Sequence, residues 1–201
     1  MRTTQLKFLI LFICLWLSGC AALQPGVQPA MDKDLTWAER AQTLSRIQSW
    51  DLNGLIAIRS SKDNWSATLN WQQTRQNYTI FLFGPLGAGS LKLSGNPQGV
   101  TLEAANGKKF NARNAESLLA AQTGWRLPVS NLYYWVRGLP APSSRALKQF
   151  DAYHHLMTLR QQGWTIRYAH YISIRQTDIP SKIFLENSDL SVKIIINQWV
   201  F

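Results

Sequence analysis

From Leu52 onward the chain alternates apolar and polar positions with the period of a strand. Leu52, Gly54, Ile56 and Ile58 stand among Asp51, Asn53 and Arg59, and Trp65, Ala67, Leu69 and Trp71 among Ser66, Thr68, Asn70 and Gln72. Successive side chains of a strand face opposite sides, so each segment puts its apolar half on one face, the pattern of an antiparallel sheet with one wet side. Strand patterns continue over residues 78–83, 90–94 (Leu91 and Leu93 inward), 100–103 and 109–110, the last two joined at Asn106-Gly107, a dipeptide that favours a type I′ hairpin. After an interruption they resume around Leu147 and over residues 155–160, 164–174, 183–186 and 191–200, with a hairpin at Gly163 and a longer loop at Asp178-Ile179-Pro180. About eleven strands separated by turn signals predict a sheet that curls, as a sandwich or a barrel.

Three stretches carry the helical period instead. Thr36 and Glu39 form a candidate capping box, and Trp37, Ala41, Leu44, Ile47 and then Trp50 recur at three- and four-residue steps. Such a helix beside a membrane tether could lie on a bilayer; packing on its own domain is the expectation. In the middle of the chain Asn114 caps a helix that runs to Thr123 and stops at Gly124, and Ser130 caps a second over residues 131–137, stopped by Gly138 and Pro140. These two carry Leu118, Leu119, Leu132, Trp135 and Val136 and are placed to cover one face of the sheet.

The N-terminus adds an address. Arg2 and Lys7 precede an unbroken apolar run over residues 8–17, and Leu17-Ser18-Gly19-Cys20 follows. The run is short of the ~20 residues that span a bilayer, and small residues before a cleavage point are those of an export signal. The ending resembles the lipobox of bacterial lipoproteins, which implies a lipidated Cys20 after removal of residues 1–19. Residues 20–33, with Pro25, Gly26 and Pro29, read as a flexible tether, and residues 34–201 as a single domain. Ala21, rather than Asp, after the cysteine implies the outer membrane by analogy with the enterobacterial sorting rule.

Cleavage of 19 of the 201 residues leaves 182, removes Cys14, and takes the formal charge from +10 to +8. With Cys20 occupied by lipid no disulfide can form. Export turns the basic excess away from nucleic acid and toward anionic headgroups, an acidic protein partner or plain solubility. Catalytic chemistry finds little support. Gly107-Lys108-Lys109 lacks the earlier glycine of a phosphate loop, and Gly87-Ala88-Gly89-Ser90 is not a nucleophile elbow. The three histidines are His154, His155 and His170, and neighbours on a strand face opposite sides, so the first two read as surface or rim residues rather than one metal site. Asp151, Asp178, Glu186 and Asp189 fall near turns, where solvation explains them. No enzyme activity, metal or cofactor is expected.

The unusual features are apolar. Eight tryptophans remain after Trp16 is cut away, and helices over a curled sheet can leave an apolar cavity suited to acyl chains. At Gly84-Pro85-Leu86-Gly87 a large leucine sits among turn residues, where it either folds back or is offered outward.

Residues 71–107, WQQTRQNYTIFLFGPLGAGSLKLSGNPQGVTLEAANG, resemble the LolB family, the outer-membrane lipoprotein receptors of Gram-negative bacteria. The likeness continues through Trp135-Val136-Arg137-Gly138-Leu139-Pro140 and the C-terminal strand closing at Trp199. It implies a mostly β fold with α, an unclosed half-barrel of about eleven antiparallel strands with about three helices as a lid over an apolar cavity. It also implies a lipid-anchored protein that takes lipoproteins from a LolA-like periplasmic carrier and inserts them into the outer membrane. The family's loop between the third and fourth strands projects a leucine needed for insertion; by position the loop is Gly84, Pro85, Leu86 and Gly87, with Gly84 where the family often has Asn. The expected acyl-chain wall is Trp65, Leu69, Trp71, Leu91, Leu93 and Trp135, and the anchor Cys20. Expected partners are the carrier, outer-membrane lipoproteins as cargo and outer-membrane lipid, with the chain as a monomer. Two other readings stay open on the residues alone: a structural or ligand-sensing outer-membrane lipoprotein without transfer activity, and an esterase acting on membrane lipid.

Overall fold

The computed structural model of the chain describes residues 35–85, 89–142 and 144–201; Cys20, the signal and tether segments, and Leu86 and Gly87 lie outside them. Helix α1 (Trp37–Arg46) starts at the capping box, where Thr36 Oγ1 accepts from the Glu39 amide and Glu39 Oε2 accepts from the Thr36 amide at 2.8 Å. It ends sooner than its apolar period predicts. Ile47 is already extended, and Trp50 belongs to the next strand, because its inward position there continues the alternation of Leu52, Gly54, Ile56 and Ile58.

The strands are β1 (Ser49–Ser60), β2 (Asn64–Thr74), β3 (Asn77–Phe83), β4 (Leu91–Asn96), β5 (Gly99–Ala104) and β6 (Lys109–Ala112), then β7 (Leu147–Phe150), β8 (Leu156–Gln161), β9 (Trp164–Ile174), β10 (Thr177–Glu186) and β11 (Leu190–Val200). They make one antiparallel sheet in the order β6-β5-β4-β3-β2-β1-β11-β10-β9-β8-β7. Two meanders thus meet at the β1/β11 seam, and β6 and β7 are left as the two edges of an unclosed barrel. The seam contains a bulge at Asn53/Gly54, which keeps Trp199 inward beyond Ile196. Gly54 is obligatory there: a Cβ would lie 2.0 Å from the Ile195 carbonyl oxygen.

Between the edges run α2 (Ala115–Thr123) and α3 (Val129–Trp135), across the concave side. α2 begins and ends as the sequence predicts, with Asn114 Oδ1 accepting from the Ser117 amide and Gly124 left-handed at φ 77°. α3 begins two residues earlier than its expected cap, at Pro128. Ser130 instead turns to α2, its amide and hydroxyl donating to Glu116 Oε1 at 2.8 and 2.6 Å.

Two turn assignments change. At Asn106-Gly107 only Gly107 has positive φ, and the hydrogen bonds from Ala104 N to Lys108 O and from Gly107 N to Ala104 O enclose three residues, so this is a three-residue hairpin rather than type I′. Asp178-Ile179-Pro180 is not a loop but part of β10; the turn is Arg175-Gln176, both left-handed, which no turn-forming residue announces. Pro180 is tolerated because the register shifts just after it and β11 pairs only from Lys182 on. The buried apolar cluster runs from Leu44 to Trp199, so the described part carries its own core.

Candidate functional site

The inward rows of β1 to β5 and β11 face the inner sides of α2 and α3. Leu69, Trp71, Leu91 and Leu93, expected in the wall, meet Ile56, Ile58, Ile80, Leu82, Leu102 and Ile194 from the sheet. Leu119, Trp125, Leu127, Val129 and Leu132 close over them from the helices and their connection. Among the described residues, no charged or hydrogen-bonding side chain other than the two indoles lines this interior. It is nearly shut: the cavity measures about 40 Å³, far below the ~300 Å³ or more of a pocket that takes a small ligand.

The other two expected wall residues lie elsewhere. Trp65 is half-buried at the end bearing the 84–89 loop, its ring 5.1 Å from that of Trp125. Trp135 is fully buried on the β8/β9 side, 6.2 Å from Trp164, with Nε1 donating to Gln161 Oε1 at 2.9 Å. Gly84 is buried and Pro85 exposed at the start of the loop; Leu86 lies outside the described residues, as does Cys20. At the opposite end, beside the 74–77 turn, Trp71 and Val129 also form part of an open groove of about 1400 Å³ shared with Tyr78, Tyr133 and Tyr134.

Directional bonds hold the far half. Gln161 joins β8 to the segment after α3: besides accepting from Trp135, its Oε1 accepts from the Ala141 amide and its Nε2 donates to the carbonyls of Ala141 and Ser144. Arg137 is 1% exposed and donates to the Ile47 carbonyl at 2.6 Å, fastening the end of α1, while Tyr133 and Trp50 lie 4.2 and 4.9 Å beneath its guanidinium. Burial lowers its pKa, and the tyrosines oppose that.

Asp178 and His155 are not the solvated and rim residues that turn proximity predicts. Asp178 Oδ2 lies 2.7 Å from Arg40 Nη1 and 2.9 Å from His155 Nε2, and His155 Nδ1 lies 2.9 Å from Asp151 Oδ2, with the His155 ring stacked on that of Tyr171. The signal in the sequence that points to it is Arg40, three residues after Trp37 and four before Leu44 on the apolar face of α1. Burial alone would raise the pKa of Asp151; the hydrogen bonds from His155 outweigh it and leave the carboxyl below its ordinary value. With both ring nitrogens committed to carboxylates, the cluster fastens α1 to β10 and the β7/β8 turn rather than presenting a nucleophile or base to a substrate.

Comparisons with known proteins agree with this geometry. Residues 48–199 match the family described as "Outer membrane lipoprotein LolB". The outer-membrane lipoprotein LolB of Nitrosococcus oceani is 42% identical over 201 residues, 99% of this chain and 98% of that relative. Those of Pseudomonas syringae and Coxiella burnetii are 42% identical over 185 residues (91% of this chain, 90% of that one) and 39% identical over 186 (92% and 88%). Among solved structures, a LolA superfamily protein from Nitrosomonas europaea shares the fold at a TM-score of 0.51 and 10% identity, covering 82% of this chain and 93% of its own. A DUF1329 family protein from Desulfovibrio piger does so at 0.56 and 6%, covering 82% and 91%. An unclosed eleven-stranded sheet with a helical cover, and identity near two residues in five along almost the whole chain, place this protein in the LolB family of outer-membrane lipoproteins.

Proposed function

We propose that this protein is a lipid-anchored receptor on the periplasmic side of the outer membrane, which accepts lipoproteins from a LolA-like carrier, shelters their acyl chains between sheet and helices, and inserts them into the bilayer. The observation that carries the reading is the lining of the interior, aliphatic apart from two tryptophans. A cavity of about 40 Å³ holds no acyl chain, so loading requires a helix of the cover to lift. Transfer needs no bond made or broken, and the protein acts as a monomer by binding rather than catalysis. Onward movement is favoured because a bilayer hides acyl methylenes, worth ~0.8 kcal/mol each, more completely than a protein groove can. Cys20 supplies the anchor, residues 20–33 the reach, and Leu86 the tip that meets lipid.

Incubating residues 21–201 with a carrier loaded with lipoprotein tests the reading. Cargo should change hands without nucleotide, and failure to do so would refute it in favour of a structural or sensing lipoprotein. Leu86→Glu should leave uptake nearly intact while blocking deposition into liposomes; equal loss of both steps would remove the tip from the mechanism.

A further inference from the structure

The outer face of a sheet with one wet side carries polar residues. At the end bearing the 74–77 turn it does so: Gln72, Thr79, Ser94 and Thr101 lie side by side across β2 to β5. Toward the 84–89 loop the composition changes row by row. Phe81 lies between Asn70 and Lys92. The next row runs Phe83, Thr68, Leu55, Ile195 and Lys182 from β3 to β10. The one after it runs Ser66, Ala57, Lys193, Phe184 and Arg167 from β2 to β9.

Phe83 and Leu55 are each 48% exposed, and the Phe81 and Phe83 rings stack outside the core at 5.7 Å. Phe81 and Phe184 on this face have cations over them: Lys92 lies 5.1 Å from Phe81, and Arg167, Lys182 and Lys193 lie 5.2 to 5.9 Å from Phe184. A groove of about 510 Å³ joins Leu55, Phe83, Ile195 and Lys193 directly to Gly84 and Pro85.

We propose that this outward patch is a seating surface for a bilayer containing anionic phospholipid. Leu55, Phe81 and Phe83 enter the boundary between headgroups and acyl chains, while Lys92, Lys182 and Lys193 hold phosphate oxygens. Lysine stems laid along rings with ammonium groups at the rim suit such a boundary, where one end is apolar and the other wet. Its continuity with Gly84 and Pro85, where the loop begins, and the cations set around its apolar centre make an anionic lipid surface a better occupant than a protein. The patch also gives the basic excess of the chain a location. The inference goes beyond the transfer role and uses it only for the direction in which the loop faces.

Residues 21–201, which carry the whole core, are sedimented with phosphatidylcholine vesicles with and without phosphatidylglycerol. Binding should require phosphatidylglycerol and weaken with salt. Lys182→Gln with Lys193→Gln should lose about thirtyfold, at about fivefold per lysine, and Leu55→Ser with Phe83→Ser about tenfold or more. Thr79→Ala with Ser94→Ala, on the polar end of the same face, should change nothing. All are outward strand positions, and unchanged thermal unfolding confirms the fold. Vesicle binding that is equal in all three pairs and the parent would overturn the proposal. So would intact vesicle binding with lost uptake from the carrier in the lysine pair, which would assign the patch to a protein. Lysine-dependent vesicle binding by a parent that accepts no cargo would uphold the seating surface while refuting the transfer role.

Discussion

Shortening Leu119 to alanine should weaken the fold and strengthen acyl binding at once. Leu119 is buried on α2 and faces the cavity. Truncating a buried leucine costs ~2–4 kcal/mol, because the void is only partly refilled. If α2 is the leaf that lifts, the contacts of Leu119 are lost on opening just as on unfolding, so the whole penalty falls on the closed form. Weakening the closed form by ~2 kcal/mol raises the open population about thirtyfold, and apparent affinity follows while the open form is the minor one. A bound chain gives up some contact with the missing methyls, worth about 0.8 kcal/mol per methylene, so a net tightening of about fivefold is expected. The assay is a titration with an environment-sensitive fluorescent fatty acid beside urea unfolding. Ile183→Ala is the control, since Ile183 is fully buried in the same core but absent from the cavity wall: it should lose similar stability and leave affinity unchanged. Weakened binding in Leu119→Ala, or equal binding in both variants, would refute the assignment of α2 as the moving element.

Arg40→Met strips one cation from Asp178, which keeps His155 and Ser173 as partners, and should cost ~3–5 kcal/mol in urea unfolding, part of which returns in the double variant with Asp178→Asn, because a buried carboxylate short of counter-charge costs more than a neutral amide. The carboxyl of Asp151 is depressed below its ordinary value of 3.8, so its contribution is present above that pH and is lost as pH falls through the lower folded value; Asp151→Asn should flatten the stability profile in that acid window alone. Gly54→Ala pushes a Cβ against the Ile195 carbonyl and should cost about 3 kcal/mol, visible as a lowered Tm, by prising open the seam between the two meanders.

Strands and helices were legible because burial on one face imposes a period, and the period is local. Leu69, Trp71, Leu91 and Leu93 could be assigned to one face from alternation alone. Trp65 and Trp135 share the same composition but not the same place, because distance along the barrel axis and the meeting of two edges are set by pairing register, which alternation does not encode. The Arg40, His155 and Asp178 cluster escaped for a related reason: its members are up to 138 positions apart, and each alone looks like a surface residue. The Arg175-Gln176 turn escaped because the flanking strands impose its left-handed residues. The outward phenylalanines were visible as apolar residues at polar positions of β3, but only the pairing across β1, β11 and β10 joins them into a patch.

The two halves of the interior are held by different forces, and this bears on how cargo could leave. On the side of α1, α3 and β8 to β11 the fastenings are directional: Arg137 to Ile47 O, Gln161 to Trp135, Tyr168 Oη to the Trp135 carbonyl, and Trp199 Nε1 to the Pro180 carbonyl. Opening that side would strand buried donors and acceptors, at about 1–3 kcal/mol each. On the side of β2 to β5, α2 rests on the sheet through Ala115, Leu118 and Leu119, contacts without direction, and its hydrogen bonds from Ser130 to Glu116 run to α3 rather than to the sheet. An acyl chain can replace such contacts methylene for methylene at little net change. Closure of α2 over an empty interior restores the same contacts, so the helix competes with the cargo for the sheet. Holding would then be weaker than the apolar area suggests, by the cost of keeping α2 open, while a bilayer imposes no such cost. Under the proposed transfer role, the directionless seating of α2 on the sheet would serve release as much as entry, and a variant that pins it shut should block uptake, whereas one that pins it open should load readily and deliver slowly.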